Sequence, residues 1–252
     1  MSLIEFRKVF KRFGRQVVLN HVDLRVAEGE SLVILGASGS GKSVMLKHMV
    51  GLLQPDDGEV WFDGRRMDDL SERKLVDVRV QFGFLFQMGA LFDSMNVEEN
   101  VAFPLVEHTD KAVADVSDVV DAKLRMVGLP EVRKKMPAEL SGGQRKRVAL
   151  ARAIALEPRV ILYDEPTTGL DPIRSDVINE LILKLQRELK VTSVVVTHDM
   201  NSAFKVADRI VMLHEGKLIF DGTPDQIRAS EDPIIRRFVL GEAGDEELAG
   251  LK

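Results

Sequence analysis

The feature that most constrains the fold of this chain is a glycine-rich octapeptide that directly follows an apolar run. Residues 36–43 read GASGSGKS, the apolar run is Ser31–Leu35, and apolar residues with helical spacing follow from Lys42. Glycine, four residues, glycine, lysine and a hydroxyl residue form the pattern of a phosphate-binding loop between a buried strand and a helix. The simpler alternative is an ordinary turn between the same two elements.

Each residue type in this octapeptide has a physical role. Glycines allow backbone N–H groups to converge on phosphate oxygens without a Cβ in the way, and the following helix directs its positive end at the same anion. Lys42 is expected to reach the β and γ phosphates of a nucleotide, and Ser43 to bind magnesium. The residues predicted to bind the nucleotide here are Gly36, Ser38, Gly39, Ser40, Gly41, Lys42 and Ser43.

A second group of polar residues ends an apolar strand further along the chain. Residues 160–165 read VILYDE, and α/β sheets present ligand groups where their strands end. Asp164 is expected to hold magnesium through water, and Glu165 to orient or deprotonate an attacking water. The alternative is that Glu165 is only a charged residue at a strand end, before Pro166.

A third motif, LSGGQ, opens a helical segment. Its residues Ser141, Gly142, Gly143 and Gln144 resemble a second phosphate-binding helix end. Serine is also a preferred N-cap, so a purely structural explanation exists. That explanation leaves two glycines in a first helical turn, where each is disfavoured by up to about 1 kcal/mol. Close approach of the backbone to an anion is therefore predicted.

The composition limits the class of protein. The chain has 252 residues, 35 basic and 40 acidic side chains, a net charge of −5 and no cysteine. This length suggests one large domain with an insertion. The absence of cysteine excludes disulfides, thiolate zinc sites and cysteine nucleophiles, and agrees with a cytosolic location. The acidic balance argues against direct nucleic-acid binding, and no apolar run approaches the roughly 18 residues of a membrane span, so membrane contact is expected to run through partners.

Apolar periodicity outlines the order of helices and strands. A helical block is expected from Val97 to about Leu156, and a later helix that Asp171 caps and Pro172 begins. Strands alternating with helices imply a parallel sheet in one folding unit. The predicted strands are Leu3–Phe6, Val22–Val26, Ser31–Leu35, Glu59–Phe62, Phe82–Phe86, Val160–Tyr163, Thr192–Thr197, Arg209–Leu213 and Lys217–Phe220, the last two as a hairpin.

One phosphate loop, LSGGQ and YDE, in this order, resemble the ATP-binding cassette family, the nucleotide-binding subunits of ABC transporters. The resemblance covers nearly the whole chain. Gln87 in FLFQ matches the Q-loop, with a role at magnesium, and His198 in VVTHD matches the switch histidine. Thr168 to Asp171 matches the D-loop, and Phe13 fits the aromatic residue that stacks on adenine. Taken singly, Gln87 is explained as a solvated glutamine, His198 as a strand-end histidine and Phe13 as a half-buried aromatic residue.

The resemblance implies an α/β fold, the P-loop NTPase of the ABC ATPase type, with a mixed sheet core, an antiparallel N-terminal β portion and a helical subdomain. It divides a single domain, 1–252, into a catalytic core (1–87 and about 159–240), a helical subdomain carrying LSGGQ (about 88–158) and an acidic tail (241–252). ATP and Mg²⁺ are the implied cofactors. LSGGQ of one copy is expected to close on the γ-phosphate held by a second copy, and the implied catalytic residues are Lys42, Gln87, Glu165 and His198.

A narrower resemblance starts at Leu85. The sequence LFQMGALFDSMNVEENVAFPL closely resembles the ATPases of Mla-type phospholipid transporters, the MCE-associated group, as do KLRMVGL, TTGLDP and DPIIRRFVLGEAG. The segment after Gln87 lies where a change in the bound nucleotide can be passed to a partner protein. Adaptable apolar side chains suit such a contact. Core packing of the helical insertion is the alternative for each of the candidates, which are Met88, Leu91, Phe92 and Met95.

This second resemblance implies a complex at the cytoplasmic face of the inner membrane. It contains two copies of the chain, an integral permease, a substrate-binding MCE subunit beyond the membrane and a small STAS-domain protein. Transport of phospholipid follows by analogy. The alternatives are the ATPase of another ABC transporter, for amino acids, ions or lipoprotein release, a soluble cassette that acts on nucleic acid or ribosomes, and a non-catalytic subunit.

Overall fold

Two β-sheets organise the part of the chain that the computed structural model describes, residues 2–242. The strands are β1 (Ser2–Phe13), β2 (Gln16–Ala27), β3 (Ser31–Leu35), β4 (Asp57–Phe62), β5 (Arg65–Arg66), β6 (Phe82–Leu85), β7 (Val160–Asp164), β8 (Thr192–Thr197), β9 (Arg209–His214) and β10 (Lys217–Gly222). The helices are α1 (Lys42–Met49), α2 (Glu72–Arg79), α3 (Val97–His108), α4 (Val113–Met126), α5 (Gly142–Ala153), α6 (Pro172–Leu189), α7 (Met200–Val206), α8 (Pro224–Arg228) and α9 (Pro233–Leu240).

The larger sheet brings the predicted site residues to one edge. Its order is β10-β9-β3-β8-β7-β6, and all neighbours are parallel except the hairpin β9–β10. Strands β3, β7 and β8 are buried along almost their whole length, as expected for a sheet covered on both faces. Because parallel strands end at the same edge, the residues that follow β3, β7 and β8 lie together.

Each face of this sheet has its own core. Side chains alternate between the two faces of a strand. Leu32 and Ile34 belong to the core shared with α1 and the N-terminal sheet, whereas Val33 and Leu35 belong to the core shared with α3 to α6. The predicted fold class is confirmed, with a mixed sheet, an antiparallel N-terminal part and a helical part.

The N-terminal sheet is antiparallel, with the order β2-β1-β4-β5. The sequence predicts only short segments of β1 and β2, and this was wrong in length, because each strand runs for 12 residues. Register shifts interrupt their pairing, and Lys8 and His21 both have φ of +51°. A bulge moves the following side chains to the opposite face, so the alternation that marks a strand is lost. The other predicted strands match within two residues at each end.

Helices α3, α4 and α5 occupy the predicted helical block. Helix α6 begins as expected, since Asp171 accepts a hydrogen bond from the Arg174 backbone N–H. The sequence analysis did not identify α2, which buries only Leu75 and Val78. Within residues 2–242, no helix is long and apolar enough to cross a membrane. Most of the predicted acidic tail, residues 243–252, lies outside the described residues.

Candidate active site

A cavity of about 460 Å³ lies at the carboxyl edge of the larger sheet. It gathers residues that are far apart in the sequence, from the end of β1, the phosphate loop, the segment after β6, and the ends of β7 and β8. Its lining residues are Phe13, Gln16, Val18, Ser38, Gly39, Gly41, Lys42, Ser43, Val44, Gln87, Glu165 and His198. Five of the seven predicted phosphate-loop residues therefore surround one space together with Phe13, Gln87, Glu165 and His198.

The phosphate loop is tightly packed against its own chain. A Cβ added to Gly36 would lie 2.5 Å from the backbone oxygen of Leu213. Gly41 has φ of +105°, which side chains rarely allow. The Ser40 hydroxyl is buried without a hydrogen-bond partner within the described part of the chain. Lys42 Nζ donates to the backbone oxygens of Gly36 and Ala37, at 2.8 and 2.9 Å. A cradle of glycines with a buried lysine and an unpartnered hydroxyl fits a bound phosphate.

The residues expected to hold magnesium lie beside this loop. Ser43 Oγ donates to Asp164 Oδ1 at 2.9 Å, and Gln87 lines the same cavity. Burial raises the pKa of Asp164. Among residues 2–242, no group of three or more histidine, cysteine, aspartate or glutamate side chains could hold a metal ion alone. The donor set of one hydroxyl, one carboxylate and one amide suits Mg²⁺, which usually takes its remaining ligands from phosphate oxygens and water.

Glu165 lies between Lys42 of the phosphate loop and His198 at the end of β8. It is only 9% exposed and has φ of +50°, which is unusual for a residue with a side chain. Its Oε2 lies 2.9 Å from His198 Nδ1 and accepts a hydrogen bond from Thr168 Oγ1, at 3.1 Å. Its Oε1 lies 3.7 Å from Lys42 Nζ. Burial lowers the pKa of Lys42, and the charges of Glu165 and Asp164 oppose this shift.

Phe13 lies at the open side of the cavity, as the last residue of β1. Its side chain is 47% exposed, and Lys11 Nζ lies 5.6 Å from the ring centroid. An exposed aromatic face at the rim of a phosphate-binding cavity suits stacking with a flat base. The half-buried aromatic that the sequence allowed as an alternative describes its position equally well.

The LSGGQ segment lies elsewhere. Among the described residues, those that line the cavity do not include Ser141, Gly142, Gly143, Gln144 or Asp171. Ser141 caps α5, since its Oγ accepts a hydrogen bond from the Gln144 N–H at 3.3 Å, and Gln144 Oε1 accepts one from the Ser141 N–H at 2.9 Å. The purely structural explanation for Ser141 therefore applies.

No contact within the described chain requires glycine at either of the two positions after Ser141. A Cβ at Gly142 would meet Leu170 at 3.7 Å, and one at Gly143 would meet Arg174 at 3.8 Å. These are ordinary van der Waals distances. The described chain therefore has room for a Cβ at both positions, although Gly143 itself is buried.

Lys146 is a residue of this region that the sequence analysis missed. It lies in α5, is 6% exposed, and donates to the backbone oxygens of Pro166, Thr168 and Glu165 at 2.7, 2.8 and 3.3 Å. Burial lowers its pKa to about 8. A signal existed, because Lys146 shares the buried face of α5 with Gly143 and Leu150, at helical spacing.

Comparisons with known proteins identify the family of this chain. The family model described as ABC transporter matches residues 19–168. "Probable ribonucleotide transport ATP-binding protein mkl" of Mycobacterium leprae (strain TN) is 43% identical over 94% of this chain and 69% of its own length. The chain covers 66% of the mkl protein of Mycobacterium tuberculosis (strain H37Rv), so it spans about two thirds of these mycobacterial relatives.

Two further relatives match along almost their whole length. "Intermembrane phospholipid transport system ATP-binding protein MlaF" of Escherichia coli (strain K12) is 42% identical over 96% of this chain and 90% of that protein. The dimeric post-hydrolysis structure of the ATP-binding cassette MJ0796, bound to ADP and Pi, superimposes with a TM-score of 0.81 and 36% identity over 88% of this chain and 98% of that one. The chain belongs to the ABC transporter family, as one of its ATP-binding cassettes, which hydrolyse ATP with Mg²⁺.

Proposed function

We propose that this chain is the ATP-hydrolysing subunit of a transporter that moves phospholipids, and that two copies share each active site. The phosphates of ATP contact the loop from Gly36 to Ser43, and the adenine stacks on Phe13. Magnesium is held by Ser43 and Gln87, and by Asp164 through water. Glu165 positions the attacking water, and the partner copy completes the site with Ser141, Gly142, Gly143, Gln144 and Asp171.

The carrying observation is the environment of Glu165. Its carboxylate is almost fully buried, yet it faces the cavity between the switch histidine His198 and the phosphate-loop lysine Lys42. A carboxylate fixed by three neighbours can hold one water in line with a phosphate, and positioning is the main contribution a protein makes to phosphoryl transfer.

The separation of the two motifs supports sharing of sites between chains. Among the described residues, LSGGQ does not line the cavity of its own chain, and Gly142 and Gly143 both have room for a Cβ. MJ0796, which is similar over 88% of this chain, forms a dimer. In a closed dimer, two sets of N–H dipoles enclose the γ-phosphate, and loss of that phosphate removes the charge that holds the copies together.

Mixed dimers test this sharing. When Lys42→Ala and Ser141→Arg are on one chain and the other chain is wild type, both shared sites are damaged and activity should be lost. When the same substitutions are divided between the two chains, one intact site should remain and activity should be retained. If each chain instead used only its own residues, the two arrangements would give the opposite results, and the shared-site proposal would be wrong.

A surface for the permease adjoins the segment after Gln87. Here an apolar cavity of about 420 Å³ lies between α2, α3 and the end of β6, with Phe86, Phe92, Phe103 and Pro104 among its lining residues. Met88 beside it is 82% exposed. Two of the four predicted contact residues fit this surface, Met88 and Phe92. Leu91 and Met95 are only partly exposed, and Leu91 packs against the core, as the alternative explanation expected.

The loop that carries Phe92 has a fixed shape. Asn100 is fully buried, and its Nδ2 donates to the backbone oxygens of Phe92, Met95 and Asn96 at 2.9 to 3.1 Å. Its Oδ1 accepts a hydrogen bond from the Phe92 N–H at 2.8 Å. Arg152 donates to the Gly89 oxygen at 3.0 Å. Every polar group of this buried amide is used to hold the surface loop.

Phe92→Asp tests the docking surface. A charge in an apolar contact should cost roughly 2 to 5 kcal/mol of association, which would remove the permease from a purified complex. ATP binding should be unchanged, since Phe92 does not line the nucleotide cavity among the described residues. Val113→Asp is the matched control, because Val113 is 87% exposed and lies outside this surface. Equal permease recovery with Phe92→Asp and wild type would contradict the assignment.

The similarity to MlaF and the segment after Gln87 support phospholipid as the transported substrate, with a membrane permease, an MCE-type subunit and a small STAS-domain protein as partners at the cytoplasmic face of the inner membrane. The mkl relatives are named for ribonucleotide transport, which makes a second substrate class testable. The complex should be purified from native membranes, and its co-purified lipids and subunits identified. ATP with Mg²⁺ should then move labelled phosphatidylethanolamine between vesicles and the MCE subunit. ATP-dependent movement of labelled ribonucleotide without lipid movement would overturn the phospholipid assignment.

A further inference from the structure

Helix α5 carries a buried lysine that contacts the turn after the catalytic strand. The Nζ of Lys146 lies 2.7, 2.8 and 3.3 Å from the backbone oxygens of Pro166, Thr168 and Glu165. An ammonium group has three N–H donors, and each of these oxygens can take one of them. The side chain is 6% exposed, although burying a charge is costly unless it is fully hydrogen-bonded.

We propose that Lys146 is a positioning residue, which fixes the turn from Glu165 to Thr168 and thereby orients the Glu165 carboxylate for hydrolysis. This inference rests on the proposed role of Glu165. Lys146 does not itself touch the nucleotide cavity among the described lining residues. Its effect passes through the backbone of the catalytic residue.

The turn has two features that require an external support. The backbone of Glu165 is left-handed, with φ of +50°, and such conformations persist only where the surroundings hold them. The backbone oxygens of Glu165, Pro166 and Thr168 also converge on one point, the Nζ of Lys146. Their partial negative charges repel each other unless a cation lies between them. Lys146 supplies both the donors and the positive charge.

The same turn also contacts the Glu165 carboxylate directly, through a side chain. Thr168, whose backbone oxygen accepts from Lys146, donates its hydroxyl to Glu165 Oε2 at 3.1 Å. Loss of the lysine would therefore release the Glu165 backbone and one hydrogen bond to its carboxylate together. A displacement of about 1 Å in a positioned group can cost about 10²-fold in rate.

A competing explanation is that Lys146 only stabilises α5, whose first turn is LSGGQ. The two explanations predict different defects when Lys146 is substituted. A weakened α5 would impair the closing of the dimer around ATP. A released Glu165 would impair hydrolysis after the dimer has closed.

Lys146→Met removes the donors while keeping the aliphatic stem. In the native complex, we expect kcat to fall at least about 10-fold while KM for ATP changes less than about 3-fold. Lys146→Arg, which keeps the charge and the donors, should restore a substantial part of kcat. Lys123→Met is the matched control, since Lys123 is a lysine with 4% exposure that pairs with Glu157 in the helical part. It should lose comparable thermal stability and keep kcat.

The second measurement uses chains that cannot hydrolyse ATP. Glu165→Gln and the double variant Glu165→Gln with Lys146→Met should form ATP-dependent dimers at the same ATP concentration, as measured by light scattering. Weaker dimer formation by the double variant, or unchanged kcat in Lys146→Met, would overturn the inference. Unchanged kcat in Glu165→Gln alone would instead overturn the proposed function, so the two failures can be told apart.

Discussion

The phosphate-loop region and the LSGGQ region are both glycine-rich helix starts, but their glycines have different causes. A Cβ at Gly36 would collide with the chain's own backbone, whereas a Cβ at Gly142 or Gly143 would not. The first loop is surrounded by residues of its own chain that converge on one cavity. The second has room for a side chain at both glycines within the described chain. Glycine in the first region is required by this chain, and we propose that a partner copy explains glycine in the second.

This contrast separates what a single copy can do from what requires two. One copy contains the residues proposed to bind phosphate and magnesium and to orient water. It lacks, within its own cavity, the second set of N–H groups that would enclose the γ-phosphate. Substitutions in the two regions should therefore affect different measurements, in the following order of size.

The largest effect should follow from Glu165→Gln, which keeps the shape of the side chain and the neighbouring Asp164. Turnover should fall at least about 10²-fold, because the carboxylate proposed to orient water is gone. ATP-bound dimers should accumulate, as measured by size-exclusion chromatography with ATP. Glu157→Gln serves as a control, since the Glu157 side chain is 76% exposed and contacts Lys123. Near-normal ATPase activity in Glu165→Gln would contradict the catalytic role proposed for this residue.

Gly142→Ala tests the partner-facing half. It should lower ATPase activity about 30-fold, because a Cβ would keep the helix start away from the partner's phosphate. The free energy of unfolding of the isolated chain should stay equal or rise by up to about 1 kcal/mol, as alanine favours helix. Gly36→Ala should instead destabilise the chain itself by about 1 to 3 kcal/mol. If Gly142→Ala destabilised the chain as much as Gly36→Ala, the contrast would be wrong.

Lys42→Ala and Ser141→Arg should differ in ATP affinity. Loss of the charge-assisted contact at Lys42 should weaken ATP binding to the isolated chain about 10-fold. Ser141→Arg should leave that affinity unchanged, because Ser141 belongs to the other half. Isothermal titration calorimetry at a protein concentration too low for dimers would measure both. Equal weakening by the two substitutions would show that the single chain already uses LSGGQ.

The smallest effect concerns the helical part that carries LSGGQ. Arg133 and Lys134 lower the pKa of Glu98 to about 2 from its ordinary value of 4.5. A carboxylate with a lowered pKa stabilises the folded state above pH 4.5, and this contribution is lost as the pH falls toward 2. Partial exposure reduces it to about 1 kcal/mol. Denaturant unfolding should show Glu98→Gln weaker than wild type by this amount at pH 7, and the difference should vanish near pH 2. A difference independent of pH would contradict the assignment.

Local sequence patterns predicted the fold well where one segment contains the whole signal, and they picked out many of the residues that line the candidate cavity. Strand β3 and its glycine loop are an example, since burial and phosphate chemistry are both visible in consecutive residues. Bulges at Lys8 and His21 shift the alternation in β1 and β2, and therefore conceal the length of these strands. The helical spacing of Lys146 marked its burial but not its partners, because the carbonyl groups that it contacts come from a turn 19 to 22 residues further along the chain.

The buried amide of Asn100 has a consequence for the kinetics of assembly. Because four hydrogen bonds of its side chain hold the Phe92 loop, the proposed docking surface should need little rearrangement when a partner binds. Association in a single step is then expected, with an observed rate that increases in proportion to partner concentration. The ordering cost that a mobile loop would add to each encounter has already been met during folding.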